Sequence, residues 1–365
     1  MAAYLGEVVG FPSRMVESRD SFFVVDGDME VEKAEMIEFL RENPDLGALV
    51  SLDPNARGAA VQAAARLARQ RVYSLGVVKH EDVDGFGAAT GGIPVFVTPS
   101  VPSTWRRATE DAVNYWNASS TSKVRLQIVT SIPAFPTPTI VVNKRSASSF
   151  NANVAATGAM PVNGRPGNVF LNVDGTSLSR GALAYVLTHE FGHTLGFRHT
   201  DARNESDYRH TSVPRTPVTD PRSFMNATVS PSYTLSTRGF TTEDKHAARV
   251  IYPVSLAAPS ILGVVKSPGY QPGAFDVRLR FLTDDNTAQV AVTYRIGSGA
   301  WQEYPVSFRS DYPSESSPEF IMYDQSFPVG TTVTYRLQAI SYLSNQQPMN
   351  EVYLGPFSST STLTF

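Results

Sequence analysis

Cysteine is absent from the 365 residues, so this chain has no disulfide and no thiolate metal site. Charge of either sign is thin: charged residues make up 18%, the net charge is −3, and no block of like charges occurs. The basic face that nucleic-acid binding requires is therefore missing. No run approaches the roughly 18 apolar residues of a membrane span. The opening "MAAYLGEVVGFPSRM" has neither a basic n-region nor a sustained h-region, so as it stands it is not a secretory signal. Histidine is also scarce, with six in all. Apolar residues reach 42%, enough for sizeable cores, and the length calls for two or three units.

The texture changes along the chain. In residues 1–92, "SFFVVDGDMEV" begins with a strand-like apolar run, and "EVEKAEMIEFLREN" and "PNARGAAVQAAARLARQR" have helical periodicity. The segment ends in "HEDVDGFGAATGG", small, acidic and Gly-rich, which reads as a linker. Residues 93–255 mix strands ("GIPVFVTPS", "KVRLQIV", "TIVVN", "NVFLNVD") with three helical stretches, "STWRRATEDAVNYWNASS", "SRGALAYVLTHEFGHTLG" and "TTEDKHAARVIYP". Residues 256–365 contain only alternating strands separated by Gly, Pro, Asn and Ser, the pattern of an Ig-like or fibronectin-like β-sandwich. The fold class expected is α+β, with an all-β domain at the C-terminal end.

Three of the six histidines fall within "HEFGHTLGFRH". On a helix, positions four apart share a face, so His189 and His193 can aim ring nitrogens at one point. Glu190 beside the first can reach a water there, which is the HExxH arrangement of two imidazoles on zinc with a glutamate as general base. Gly196 can adopt the positive φ that ends a helix, and the turn brings His199 round as a third ligand. Three neutral nitrogens leave zinc one position for water, whose proton Glu190 can accept.

This motif resembles the long zinc signature of the metzincin metallopeptidases. With Thr200 and Asp201 after it, it most resembles the bacterial dual-action HEIGH metallopeptidases. The resemblance covers roughly residues 93–253. It implies a zinc endopeptidase acting on protein or peptide substrates, with Met225 of "SFMNAT", 26 residues beyond His199, supporting the site as a Met-turn. It also implies a secreted or cell-envelope bacterial protein; either its signal peptide has been trimmed or it is not exported by that route. The implied cleft lies under a sheet edge, for which "GNVFLNVD", residues 167–174, is the candidate. A tyrosine ligand two residues past the methionine, as in astacins, is absent, since that position is Ala227. Tyr233 is a distant candidate for stabilising an oxyanion.

The stretch "VVDGDMEV" resembles the "FEGDI" motif of astacin propeptides, in which an aspartate blocks the zinc. By position that residue is Asp28, and residues 1–92 become a removable pro-segment of a zymogen. An Asp-Gly-Asp turn between a strand and a helix has the same sequence and needs no metal, and Asp84 of "EDVDGF" is a second acidic turn. Calcium has less to recommend it: Asp174, Asp201 and Asp207 are acidic loop residues without EF-hand-like spacing. His80, His210 and His246 carry no assignment. Trp301, Tyr304 and Tyr312 are read as sandwich core or edge residues rather than a glycan platform. Two rival readings remain: an inactive metallopeptidase-like surface or binding protein working through its sandwich, and a zinc hydrolase of non-peptide amides.

Overall fold

The computed structural model describes residues 16–19, 21–25, 28–33, 92–134, 137–161, 164–201, 213, 216, 220–283, 287, 289–303, 319–340 and 354–365. The helical readings over 34–43 and 54–71, the Gly-rich linker up to residue 91, Asp84, His80, Asp207, His210, Tyr304 and Tyr312 lie outside these residues. The chain divides into two compact units. Described residues up to Lys245 belong to the first, apart from Val213 and Thr216, and those from His246 belong to the second. No helix of the described residues is long and apolar enough to cross a membrane.

The first unit is built on an eight-stranded sheet. Its strands are β1 (Val16–Ser18), β2 (Phe22–Val25), β3 (Met29–Glu32), β4 (Ile93–Val97), β5 (Leu126–Val129), β6 (Ile140–Lys144), β7 (Ala156–Ala159) and β8 (Val169–Leu171). The spatial order is β1-β2-β3-β7-β8-β6-β4-β5. Strands β5, β4, β6 and β8 run parallel, β7 runs antiparallel to β8, and β3 runs parallel to β7. "SFFVVDGDMEV" is thus a hairpin, and Glu30 to Glu32 are extended rather than the start of a helix.

This order corrects the edge assignment. β8, within "GNVFLNVD", is hydrogen-bonded on both sides. The strand beyond it is β7, "ATGA", whose small residues carry little strand signal, and its open side is taken by β3.

Two helices lie against this sheet. Helix α1 (Ser103–Ser119) buries Trp105, Ala108, Thr109, Ala112, Val113 and Trp116, a stripe at three- and four-residue spacing. Helix α2 (Arg180–Thr194) is buried all round from Ala182 to Thr194, as its uniformly apolar first half requires of a central helix. Ser179 caps it by accepting from the Ala182 N–H at 3.3 Å. On the surface, Arg180 clasps Asp111 of α1 with two hydrogen bonds of 2.7 Å.

A third helix, α3 (Thr242–Ile251), starts with a reciprocal cap: the Asp244 N–H donates to Thr241 Oγ1 (3.1 Å), and the Thr241 N–H donates to Asp244 Oδ2 (2.9 Å).

The second unit is β-structured from β9 onward. Strands β13 (Glu319–Gln325), β10 (Phe275–Leu282) and β9 (Ser260–Pro268) form one sheet. The other holds β12 (Gln302–Glu303), β11 (Gln289–Ile296), β14 (Thr332–Ile340), β15 (Leu354–Phe357) and β16 (Ser361–Thr364). Alternation along β10 buries Val277, Leu279 and Phe281 and turns Arg278, Arg280 and Leu282 outward. These three join Val290, Val292, Val333, Tyr335 and Leu337 of the other sheet in one apolar cluster. Half-buried Trp301 lies beneath the guanidinium groups of Arg336, 4.0 Å away, and Arg295, 4.9 Å away.

Candidate metal centre

His189 and His193 sit one turn apart on α2, and the sequence beyond them ends the helix. Gly196 has φ +97°; its N–H donates to the His193 carbonyl, and the Phe197 N–H donates to Gly192, each at 2.9 Å. That pair of bonds is a Schellman closure, which only a residue free to take positive φ completes cheaply. The chain then reverses and delivers His199.

The three histidines are buried and meet at their Nε2 atoms: 3.0 Å between His193 and His189, 3.3 Å between His199 and His189. Nitrogens on one tetrahedral zinc would stand about 3.3 Å apart. Each helical histidine is oriented by a backbone carbonyl: His189 Nδ1 lies 2.8 Å from the Phe224 oxygen, and His193 Nδ1 lies 2.8 Å from the Phe197 oxygen. An Nδ1–H donated there leaves the Nε2 lone pair facing the common point. Burial, then the neighbouring His189, holds His193 well below the usual histidine range, so the ring is neutral at physiological pH and able to ligate.

Those two carbonyls are themselves fixed by an aromatic cluster. The Trp116 ring packs against Phe197, Phe224 and Phe240 at centroid distances of 5.9, 5.6 and 4.8 Å. The Trp116 indole N–H also donates to the Thr188 carbonyl at 3.0 Å, tying α1 to the residue before His189.

Beneath the site lies the loop Ser223–Asn226. Met225 is buried against Gly192, where an added β-carbon would overlap the methionine sulfur. The Met225 carbonyl accepts from the Thr200 N–H at 3.0 Å, and the Thr200 hydroxyl donates to the Asn226 side-chain oxygen. Asp201 accepts from the Ala227 N–H at 2.8 Å. The Thr-Asp pair after the third histidine therefore joins that histidine's loop to the methionine's loop. On the other side, buried Asp244 accepts from the Ser223 hydroxyl (2.6 Å) and the Phe224 N–H (3.2 Å). The sequence reading passed over Asp244. Its only clue was the Thr-x-x-Asp spacing of the α3 cap.

Asp28 enters from the hairpin. Its carboxylate oxygens lie 3.5 Å from His189 Nε2, 3.6 Å from His193 Nε2 and 3.1 Å from His199 Nε2. Among the described residues, Asp28 and the three histidines are the only group of three or more such side chains placed to hold one ion, with ligand atoms all within 4.8 Å of one another. Asp174 and Asp201 belong to no such group. Burial opposes the charge on Asp28, but the attraction and hydrogen bonding of His199, His189 and His193 together outweigh it, and the carboxyl stays well below its ordinary range.

Glu190 is buried beside His189, and its Oε2 has no hydrogen-bond partner among the described residues. Burial, and then repulsion from Asp28, pushes its carboxyl well above the usual range. Gly158 of β7 passes directly over it: an added β-carbon there would stand 2.5 Å from the Glu190 carbonyl oxygen and 2.9 Å from His193 Cβ. Tyr233 packs on Tyr185, one turn before His189, at 5.6 Å, and its hydroxyl accepts from Arg238 at 3.2 Å. His246 is a buried residue of α3.

A buried three-nitrogen donor set with a carboxylate beside it fits a single divalent metal of the zinc type. The α+β fold and this centre fit a metallopeptidase domain. Residues 88–252 match the dual-action HEIGH metallo-peptidase family. No curated protein matches the chain. Among solved structures, the chain is similar to high choriolytic enzyme 1, a hatching enzyme zinc-protease from Oryzias latipes (medaka fish). The two are 16% identical over 44% of this chain and 88% of that one, with a TM-score of 0.31. Myroilysin is likewise 16% identical, over 45% and 80%, with a TM-score of 0.29. OgpA from Akkermansia muciniphila is 11% identical over 74% and 92%, with a TM-score of 0.22. The family match, and not these loose superpositions, carries the assignment.

Proposed function

We propose that the protein is a latent zinc endopeptidase of metzincin type. In this reading residues 1–92 are a pro-segment with linker, 93–255 the catalytic domain and 256–365 an Ig/fibronectin-like sandwich. One observation carries it: three buried histidine nitrogens converge beside a partnerless glutamate oxygen, with Asp28 filling the remaining side of the same point.

His189, His193 and His199 hold the zinc, and Met225 supports them from below. Zinc held there supplies Lewis acidity, making water acidic near neutral pH and drawing charge from a carbonyl oxygen. Glu190 accepts the proton of the attacking water and returns it to the leaving amine. Its burial keeps water away from that proton and raises its affinity for it. Strand β7 offers backbone groups to an extended peptide, and Gly158 lets that strand lie close over the glutamate. In the latent form Asp28 stands where the substrate carbonyl must come, and β3 takes the strand edge that a substrate would pair with. A secreted or envelope location in a bacterium suits such a restrained protease.

The test is zinc stoichiometry on the purified full chain. One zinc per molecule is expected, with loss in His193→Ala and His199→Ala. Full occupancy in both variants would place the metal elsewhere and sink the reading.

A further inference from the structure

Glu30 is 1% exposed and belongs to the hairpin, two residues beyond Asp28. Its carboxylate is read from both sides by residues outside the hairpin. The Arg145 guanidinium forms an ion pair with Oε2, and the Thr157 hydroxyl of β7 donates to Oε1. Arg145 is anchored independently of the hairpin: its backbone N–H donates to the Leu171 carbonyl at 3.1 Å, and its guanidinium lies 3.2 Å from the Phe170 ring centroid. The Phe22 ring of the hairpin covers its other side at 4.3 Å. The backbone at Glu30 is held as a strand, with Glu30 in register with Ala159 and its carbonyl accepting from the Met160 N–H at 3.1 Å.

Burying a carboxylate is costly, and a paired charge at such a position contributes selectivity more surely than stability. On either side of Glu30, Met29 and Val31 are buried and apolar. Accepting the zymogen reading above, on which this inference rests, the cation and the hydroxyl stay behind when the hairpin leaves. They then flank the same strand that a substrate pairs with. We propose that Arg145 and Thr157 form a subsite for an acidic side chain, so that the substrates are peptides with Asp or Glu close to the bond cut. Glu30 occupies that subsite in the latent form. Because Glu30 is two residues from Asp28, the acidic residue falls within about three residues of the scissile bond, on one side of it only.

The experiment uses full-length protein folded with zinc and carrying an inserted sequence-specific protease site at residue 90. The chain is cut in place, and the cut protein is given a mixed peptide library whose cleavage sites are read by mass spectrometry. Asp and Glu should be enriched about fivefold or more at one position near the cut. The enrichment should vanish in Arg145→Gln and change to Lys and Arg in the charge swap Glu30→Arg with Arg145→Glu.

A second readout does not need the variants to fold. A synthetic peptide of residues 16–33 should bind the cut wild-type protein at least tenfold more tightly than its Glu30→Gln form. Cleavage without acidic enrichment, or equal binding of the two peptides, would overturn the subsite and leave the peptidase reading standing. If the wild type cleaves no peptide at all, the peptidase reading itself falls, and the subsite falls with it.

Discussion

Met225 lies directly against Gly192: a β-carbon on that glycine would overlap the methionine sulfur, and Phe224 Cε2 would stand 3.1 Å away. The side chains of the loop therefore fill the space that a β-carbon on the helix would need at this position. The same loop brings the Phe224 carbonyl to 2.8 Å from His189 Nδ1.

Gly192→Ala should separate the two. Alanine favours a helix interior over glycine by up to about 1 kcal/mol. Overpacking a buried contact typically costs about 1–3 kcal/mol. The net expectation is destabilisation, visible as a lower melting temperature, together with weaker zinc binding as His189 loses its orienting carbonyl. A variant that melts no lower and binds zinc as tightly would show that the contact is soft.

Asp28→Ala in the uncut chain should raise peptidase activity above that of the wild type, since the carboxylate nearest His199 is gone while the hairpin's other anchors remain. The check is hydrolysis of an unstructured protein by both chains before any processing. Equal rates would mean that the Asp-Gly-Asp segment is a turn and nothing more.

Asp244 gives a pH prediction. Burial raises its carboxyl above the ordinary 3.8, against the pull of the Ser223 and Thr241 hydrogen bonds. In the window above 3.8 the folded chain therefore binds more protons at this position than the unfolded chain. This contribution to stability is present below 3.8 and is lost as pH rises through the raised value. Asp244→Asn should remove that part of the slope, and melts taken across the acidic range would reveal it. At neutral pH the variant should still cost about 1–3 kcal/mol, because one oxygen no longer accepts from the Phe224 N–H or the Ser223 hydroxyl.

The sequence made some of this legible and hid the rest for physical reasons. The zinc motif was readable because four-residue spacing on a helix and a glycine at its end have one geometric outcome. His189, His193 and His199 converge after the turn that Gly196 makes. Strands rich in β-branched residues, such as "IPVFV" and "TVTYRLQAI", were equally plain. Strand β7 was missed because Gly158 must be small to pass over Glu190, and small residues erase the strand pattern. The edge went to β8 for the same reason. Glu30 was read as part of a charged helix, since nothing local shows that Arg145 and Thr157, more than a hundred residues away, will enclose it. Asp244 stayed hidden because its second role, at the Met225 loop, exists only once the chain has folded.

The central claim is that Glu190 moves a proton at a metal held by the three histidines. The most direct test is the rate at which zinc-loaded Asp28→Ala hydrolyses an unstructured protein, beside the same chain with Glu190→Ala added. Loss of a general base predicts a fall of about 10²–10⁴-fold with zinc content unchanged. Equal rates in the two chains, or no hydrolysis by either with zinc fully bound, would contradict the account.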